Sequence, residues 1–240
     1  MFSKSIEIYD AIYAGMGKDY AEESARLEAW IQQYKQTPGR ALLDVACGTG
    51  LHIEHLKKNF QVEGLDLAAD MLDIARQRNP GIAFHEGDMV EFDLRRRFDV
   101  VVCLFSAIGY ARTPDRLVRA MRTMAAHLAP GGVLLVEPWL DPKVFRPGLV
   151  HAHYVDEPEL KVARINNSEL QDGLSVMEMH YLVGTPEGVE YFTELHELGL
   201  FSKQQYKDAV EDAGLEFYRD EEGLIGRGML IGVKPLSPGD

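Results

Sequence analysis

The chain has 240 residues, 46% hydrophobic and 26% charged, which are ordinary globular values that exclude wholesale disorder. That length predicts a single domain, residues 1–240, built round one sizeable core with room for one insertion. Twenty-five basic against 38 acidic residues give a formal net charge of −13, which removes any general attraction to nucleic acid.

The charge-free stretch from Val100 to Ala111 is too short to cross a bilayer. Met1-Phe2-Ser3-Lys4-Ser5 carries no apolar signal core, so a cytoplasmic protein is expected. Cys47 and Cys103 each lie in an apolar run, away from each other and from any metal-ligand spacing. They read as buried, reduced thiols in a reducing compartment, with no metal site.

Residues 1–40 read as a helical cap with Leu27, Trp30 and Ile31 as its inward stripe. Arg40–Ala46 is a short apolar strand running into Cys47-Gly48-Thr49-Gly50, and Leu51–Phe60 follows with helical rhythm. Gln61–Leu67 is a second strand. Ala69–Asn79 is a second helix, stopped by Asn79-Pro80-Gly81, and Ile82–His85 is a third strand. Phe98–Leu104 is continuous rather than alternating, the pattern of a central strand covered on both faces. Thr113-Pro114-Asp115 opens a helix, with threonine for the cap, proline for the first turn and aspartate for the positive end of the dipole. That helix is expected to stop at Ala129-Pro130-Gly131-Gly132, before a strand from Val133 to Glu137. Strand and helix alternating in this way predict an α/β fold with a mostly parallel, doubly wound sheet.

After Glu137 the rhythm changes. Turn signals at Asp156-Glu157-Pro158, Gln171-Asp172-Gly173 and Gly184–Gly188 separate runs that predict antiparallel hairpins, an inserted β layer over 145–198. Ser202 caps a further helix that ends at Gly214, and Leu215–Tyr218 and Met229–Val233 are closing strands.

Asp44-Val45-Ala46-Cys47-Gly48-Thr49-Gly50 stands where the first strand turns into the first helix, the place where such sheets bind ligands. Asp66 follows 66 − 44 = 22 positions later, the spacing of an acid that reaches ribose hydroxyls. The third glycine of a dinucleotide fingerprint is missing: Ile53 or Leu51 stands there, depending on register. The loop therefore suits a nucleoside without a phosphate bridge better than a nicotinamide dinucleotide. Taken alone, Asp44 reads equally as a turn cap and Asp66 as a helix cap.

Together with Asp66, Gly87-Asp88-Met89, Phe98-Asp99-Val100-Val101 and Leu128–Gly132, this loop falls in the order and spacing of class I S-adenosylmethionine-dependent methyltransferases, which the chain resembles over about half its length. The resemblance implies a Rossmann-like doubly wound sheet. It implies that Ala46 and Gly48 line the methionine and ribose, that Asp66 takes the ribose hydroxyls, and that Asp88 and Met89 hold the adenine. Leu104 would border the cofactor. Ala46 replaces the first glycine of the usual loop.

A narrower resemblance spans the chain. Tyr9-Asp10 through Tyr13, Gly17–Tyr20, Phe105-Ser106, Gly109-Tyr110, Val136–Trp139, Val162–Arg164, Leu200-Phe201 and Gly226–Gly228 resemble the N,N-dimethyltransferases of nucleotide-linked 3-amino-deoxysugars in macrolide pathways, making desosamine- and mycaminose-type sugars. This implies that Tyr20 contacts the cofactor and that Tyr13, Trp139, Arg164 and Arg227 approach a dTDP-type sugar nucleotide. It also implies a homodimer. Met16 stands where some members carry arginine, and Leu140–Val144 departs from their aromatic version, which leaves the sugar open. A methyltransferase for another small amine or hydroxyl, and a non-catalytic S-adenosylmethionine-binding protein, are the alternatives.

Methyl transfer from a sulfonium to an amine is a direct displacement, so alignment and desolvation supply most of the acceleration. A nearby cationic sulfonium also lowers the amine's pKa. Tyr110 either hydrogen-bonds the amine or is an aromatic wall. Glu137 holds an amine or caps a loop. His127, in a last helical turn, suits the dipole. Lone arginines default to solvated charges, but Arg227 lies between two glycines and a guanidinium fork suits a diphosphate.

Overall fold

Strand β1 (Ala41–Val45) runs through the middle of the protein because all but its first residue are buried, Asp44 included. The computed structural model describes residues 4–236; the expectation placed on the amino terminus falls partly on residues 1–3, outside them. Parallel to β1 lie β2 (Gln61–Asp66) and β4 (Phe98–Cys103), with β3 (Ala83–Glu86) beyond β2 and β5 (Leu128–Val136) beyond β4. The closing strands β10 (Glu216–Asp220) and β11 (Met229–Val233) add antiparallel beside β5. The order β10-β11-β5-β4-β1-β2-β3 reverses between β1 and β4, which opens a crevice at their carboxyl ends.

Alternate residues of these strands feed two cores. Leu43, Val101 and Leu134 pack with α5 (Pro114–Ala126) and α6 (Lys203–Asp212). Leu42, Val100 and Leu135 pack on the other face with α2 (Tyr20–Tyr34) and α3 (Leu51–Leu56), and α4 (Ala69–Arg78) connects β2 to β3. Leu27, Trp30 and Ile31 are the stripe that α2 buries there. The caps follow the sequence: Thr113 accepts the Arg116 N–H, and Ser202 and Gln205 form a reciprocal capping box. Among the described residues no helix is long and apolar enough to cross a membrane.

One expected turn is instead strand. β5 begins at Leu128, which pairs with Phe98 before the register slips ahead of Val100. Gly131, at φ +75°, takes up the kink, while its N–H donates to the Lys234 carbonyl and its own carbonyl accepts from Gln36. Burying Leu128 and satisfying those backbone groups outweighs the local turn preference of Pro130-Gly131-Gly132. His127, just past the end of α5, is buried, its Nδ1 lying 2.8 Å from the Thr123 carbonyl and its Nε2 3.1 Å from the Leu94 N–H.

Between β5 and α6 comes a separate antiparallel sheet of β6 (Val150–Asp156), β7 (Lys161–Gln171), β8 (Leu174–Thr185) and β9 (Gly188–Gly199), joined by hairpins at the three turn signals. Its inner residues, among them Val162, Met179, Tyr181 and Phe192, form a third core with Ile8 and Ile12. Ile12 belongs to α1 (Tyr9–Gly15). The two amino-terminal helices thus serve different cores.

Candidate active site

The crevice and the inner face of the second sheet enclose one cavity of about 990 Å³. Every site residue expected from the sequence lines it: Ala46, Gly48, Asp66, Asp88, Met89 and Leu104 from the loops after the strands, Tyr13, Tyr20 and Tyr110 from the helical segments, Trp139 beyond β5, Arg164 from β7 and Arg227 from the turn before β11.

The loop after β1 is left-handed at Ala46 (φ +59°), Gly48 (φ +55°) and Gly50 (φ +75°). Alanine holds that conformation at a cost of about 1–2 kcal/mol, which is why glycine is the commoner choice. A Cβ at Gly48 would meet nothing within 4 Å, so the backbone there is open to the cavity. Asp66 does more than cap a helix. One carboxylate oxygen accepts the Gly48 N–H at 2.8 Å and the other the Ala68 N–H at 2.9 Å, tying the two loops together. Burial pushes its carboxyl up, against the pull of those N–H groups. Asp44, 2% exposed at the end of β1, is pushed up to about 8 by burial and then by Asp66. Asp88 accepts the Val90 N–H at 3.0 Å and pairs with Arg116 at 2.9 Å. Cys103 is buried as expected, but Cys47 is only partly covered and lines the cavity.

Beyond Leu104 the chain passes through Phe105 (φ +54°) and Ser106 (φ +56°), left-handed without glycine. Such a strained turn persists only when its surroundings hold it. Glu137 accepts the Phe105 N–H at 2.6 Å, and Ser106 Oγ donates to the Pro138 carbonyl at 2.8 Å. Of the two readings of Glu137, the structure brings out the loop cap; its carboxylate sits beneath Phe105 and does not line the cavity. Burial pushes that carboxyl up, opposed by Lys18, the Phe105 N–H and Arg227.

Aromatic rings wall the centre. Tyr9 and Tyr13 lie 4.6 Å apart, and Tyr13 meets Phe105 edge-on at 4.7 Å. Burial pushes the phenols of Tyr9, Tyr20 and Tyr110 up, so they remain neutral hydroxyls. Their faces suit a cation.

The arginines are not solvated charges. Arg164 is 4% exposed, donates to the Tyr13 hydroxyl at 3.3 Å, and leaves its buried Nε without a partner. Arg227 lies 4.4 Å over the Trp139 ring and donates to Ser106 Oγ at 2.9 Å, while Trp139 Nε1 is a second buried donor without a partner. An orphaned buried donor costs about 1–3 kcal/mol.

Sequence reasoning missed Tyr9, Arg116 and His196. Tyr9 carried a resemblance but no role, Arg116 gave no signal beyond a helical charge, and His196 meets the site through Tyr110, 2.8 Å away. Among the described residues no cluster of three His, Cys, Asp or Glu side chains could hold a metal ion.

The methyltransferase-domain family matches residues 42–132. Over 95% of its length the chain is 43% identical to the dTDP-3-amino-3,6-dideoxy-alpha-D-glucopyranose N,N-dimethyltransferase of Streptomyces fradiae, covering 89% of that protein. The chain belongs to the aminosugar N,N-dimethyltransferases. These are class I S-adenosylmethionine-dependent methyltransferases, and the family likeness extends to solved structures. DesVI from Streptomyces venezuelae superposes with a TM-score of 0.92 at 40% identity, over 98% of this chain and 100% of that one. CalS10 with bound cofactor, an amino pentose methyltransferase from Micromonospora echinaspora involved in calicheamicin biosynthesis, gives 0.87 at 39% identity over 98% of each chain.

The enzyme is thus an N-methyltransferase whose cofactor, S-adenosylmethionine, supplies a methyl group activated on a sulfonium. The residues present fit that group. The Asp66 carboxyl beside an open glycine backbone suits the hydroxyls of a nucleoside, and the loop offers no glycine cradle for a bridging diphosphate.

Proposed function

We propose that this enzyme transfers two methyl groups to the amine of a dTDP-linked amino-deoxysugar. The observation that carries the reading is the polarity of the cavity. Asp66 and Asp88 stand at the ends of β2 and β3, while Arg164 on β7 and Arg227, bonded to Ser106 beyond β4, bring two braced cations into the same cavity of a protein of charge −13. A dianionic diphosphate needs such local cations. Braced guanidinium forks have little ordering entropy left to lose on binding it.

In this reading Ala46, Gly48, Asp66, Asp88, Met89, Leu104 and Tyr20 hold the cofactor. Asp66 keeps lone pairs for the ribose hydroxyls beyond its two backbone bonds. Tyr13, Trp139, Arg164 and Arg227 hold the sugar nucleotide, with the orphaned Nε of Arg164 and Nε1 of Trp139 as donors for it. Tyr110 orients the amine so that its lone pair lies in line with the methyl group. That alignment in a water-poor cavity does most of the catalytic work.

The chain is a single methyltransferase domain, with residues 1–40 as its cap and 145–198 as its inserted layer. A homodimer is supported by the outer face of that layer, where Tyr154, Ile165, Leu182, Tyr191 and Leu195 are exposed on successive strands. The free thiols of Cys47 and Cys103 support a reducing compartment, the cytoplasm. The test is incubation with labelled cofactor and a panel of dTDP-amino sugars and free amines, with products identified by mass. Dimethylation of a sugar nucleotide is expected. Preference for the free amines would refute the reading.

A further inference from the structure

A chain of polar groups leads from the cavity wall into the second sheet, and methyl transfer itself does not require it. Tyr110 lines the cavity, and its hydroxyl lies 2.8 Å from Nδ1 of His196, which is 1% exposed on the inner face of β9. Nε2 of His196 lies 3.7 Å from an oxygen of Glu194, two residues earlier on the same face. Glu194, 5% exposed, accepts from the Lys4 N–H at 2.9 Å, the Ser5 N–H at 3.1 Å and the Ser5 hydroxyl at 2.6 Å. A histidine and a carboxylate beside the apolar core of Met177, Tyr181 and Phe192 cost stability that apolar residues would not.

We propose that Tyr110, His196 and Glu194 are a relay that removes the ammonium proton between the first and second methyl transfers. This rests on the N,N-dimethylation reading above. The first transfer makes an N–C bond as the S–C bond breaks, leaving a secondary ammonium with one proton too many to attack again. That proton passes to the Tyr110 oxygen while the tyrosine's own proton passes to His196 Nδ1. The imidazolium is held beside the Glu194 carboxylate. It returns the proton to water when the spent cofactor is exchanged, and Tyr110 ends each passage as it began, a neutral phenol.

The surroundings suit a base that is neutral at rest. Burial lowers His196 below the ordinary histidine range, Glu194 opposes that shift, and Arg164 on β7 adds to it. Tyr13 from α1, Tyr181 from β8 and Arg112 face Tyr110, whose phenol burial keeps high, so the hydroxyl relays a proton without becoming a lasting anion. Tyr110 touches the reacting nitrogen; His196 and Glu194 are positioning residues behind it.

The test uses His196→Asn, which keeps an acceptor for the Tyr110 hydroxyl and cannot carry the proton, and Tyr110→Phe, which breaks the chain at the cavity wall. Full-length proteins are given dTDP-3-amino-3,6-dideoxyglucose or its N-monomethyl form, and each transfer is timed by mass spectrometry from pH 6.5 to 9. In His196→Asn cofactor affinity and the first transfer are expected to stay near wild type; Tyr110→Phe also loses the hydroxyl that orients the amine and slows the first transfer too, though less than the second. The second is expected to slow about 10²-fold near pH 7, with monomethyl product accumulating, and to recover as rising pH lets solution remove the proton. Equal slowing of both transfers at every pH, or an unchanged ratio of products, overturns the relay. A wild-type enzyme that leaves the sugar nucleotide unmethylated overturns the substrate reading instead.

Discussion

Asp44 offers a direct measure of how strongly the cofactor end of the cavity is charged. Its carboxyl rises from an ordinary 3.8 to about 8, burial being the larger cause and Asp66 the second. Below pH 4 the group is protonated whether the chain is folded or not, and it contributes nothing to stability. Between 4 and 8 the folded protein keeps the proton that the unfolded chain has lost, so stability falls as pH rises. Above 8 both states are ionised and the penalty is constant. The slope in the middle window is about −1.4 kcal/mol per pH unit. From pH 5 to 7 the loss is about 2–3 kcal/mol, a substantial part of the 5–15 kcal/mol that holds a typical domain together. Asp44→Asn has no proton to lose. Urea unfolding of both proteins without cofactor, at pH 5, 6 and 7, isolates the residue, because every other group titrates in both. The variant is expected to gain on the wild type by 2–3 kcal/mol across that interval. Parallel stability curves would show that Asp44 is ionised like an exposed acid and would refute the reasoning.

Asp66→Ala removes the proposed ribose acceptor and both loop ties, so S-adenosylmethionine should bind about 1–3 kcal/mol more weakly by calorimetry, while NAD gives no binding heat to either protein. Arg227→Ala should raise KM for the sugar nucleotide with little change in kcat, since the proposed diphosphate contact is alike in ground and transition states. Arg227→Lys should restore only part of it, because an ammonium keeps the charge but loses the fork and much of the stacking on Trp139. An equal effect on a sugar lacking its nucleotide would make Arg227 a structural brace of Ser106 alone.

The parallel half was legible because each of its elements announces itself locally. Val100–Cys103 is apolar throughout, Asp44 to Gly50 marks the loop, and Thr113-Pro114 and Ser202 mark helix starts. What stayed hidden depends on distant partners. The stop expected at Pro130-Gly131-Gly132 is strand because Phe98, Gln36 and Lys234 supply its pairing. Glu137 caps a loop 32 residues earlier, and His196 meets Tyr110 across 86 positions. No window of local pattern carries such pairings, and side-chain type alone left Glu137 undecided.

The position of β11 has a consequence for how the chain is made. It is the last strand among the described residues, yet it pairs with β5, whose Val133-Leu134-Leu135-Val136 is apolar at every position. From the end of β5 to the start of β11 the ribosome adds 229 − 136 = 93 residues. At ordinary synthesis rates that takes roughly 5–20 s. Throughout that interval β5 is an unpaired, hydrophobic sheet edge, the kind that recruits strands from other chains. Newly made protein is therefore sticky until β11 emerges, and truncation anywhere before Met229 fixes it in that state.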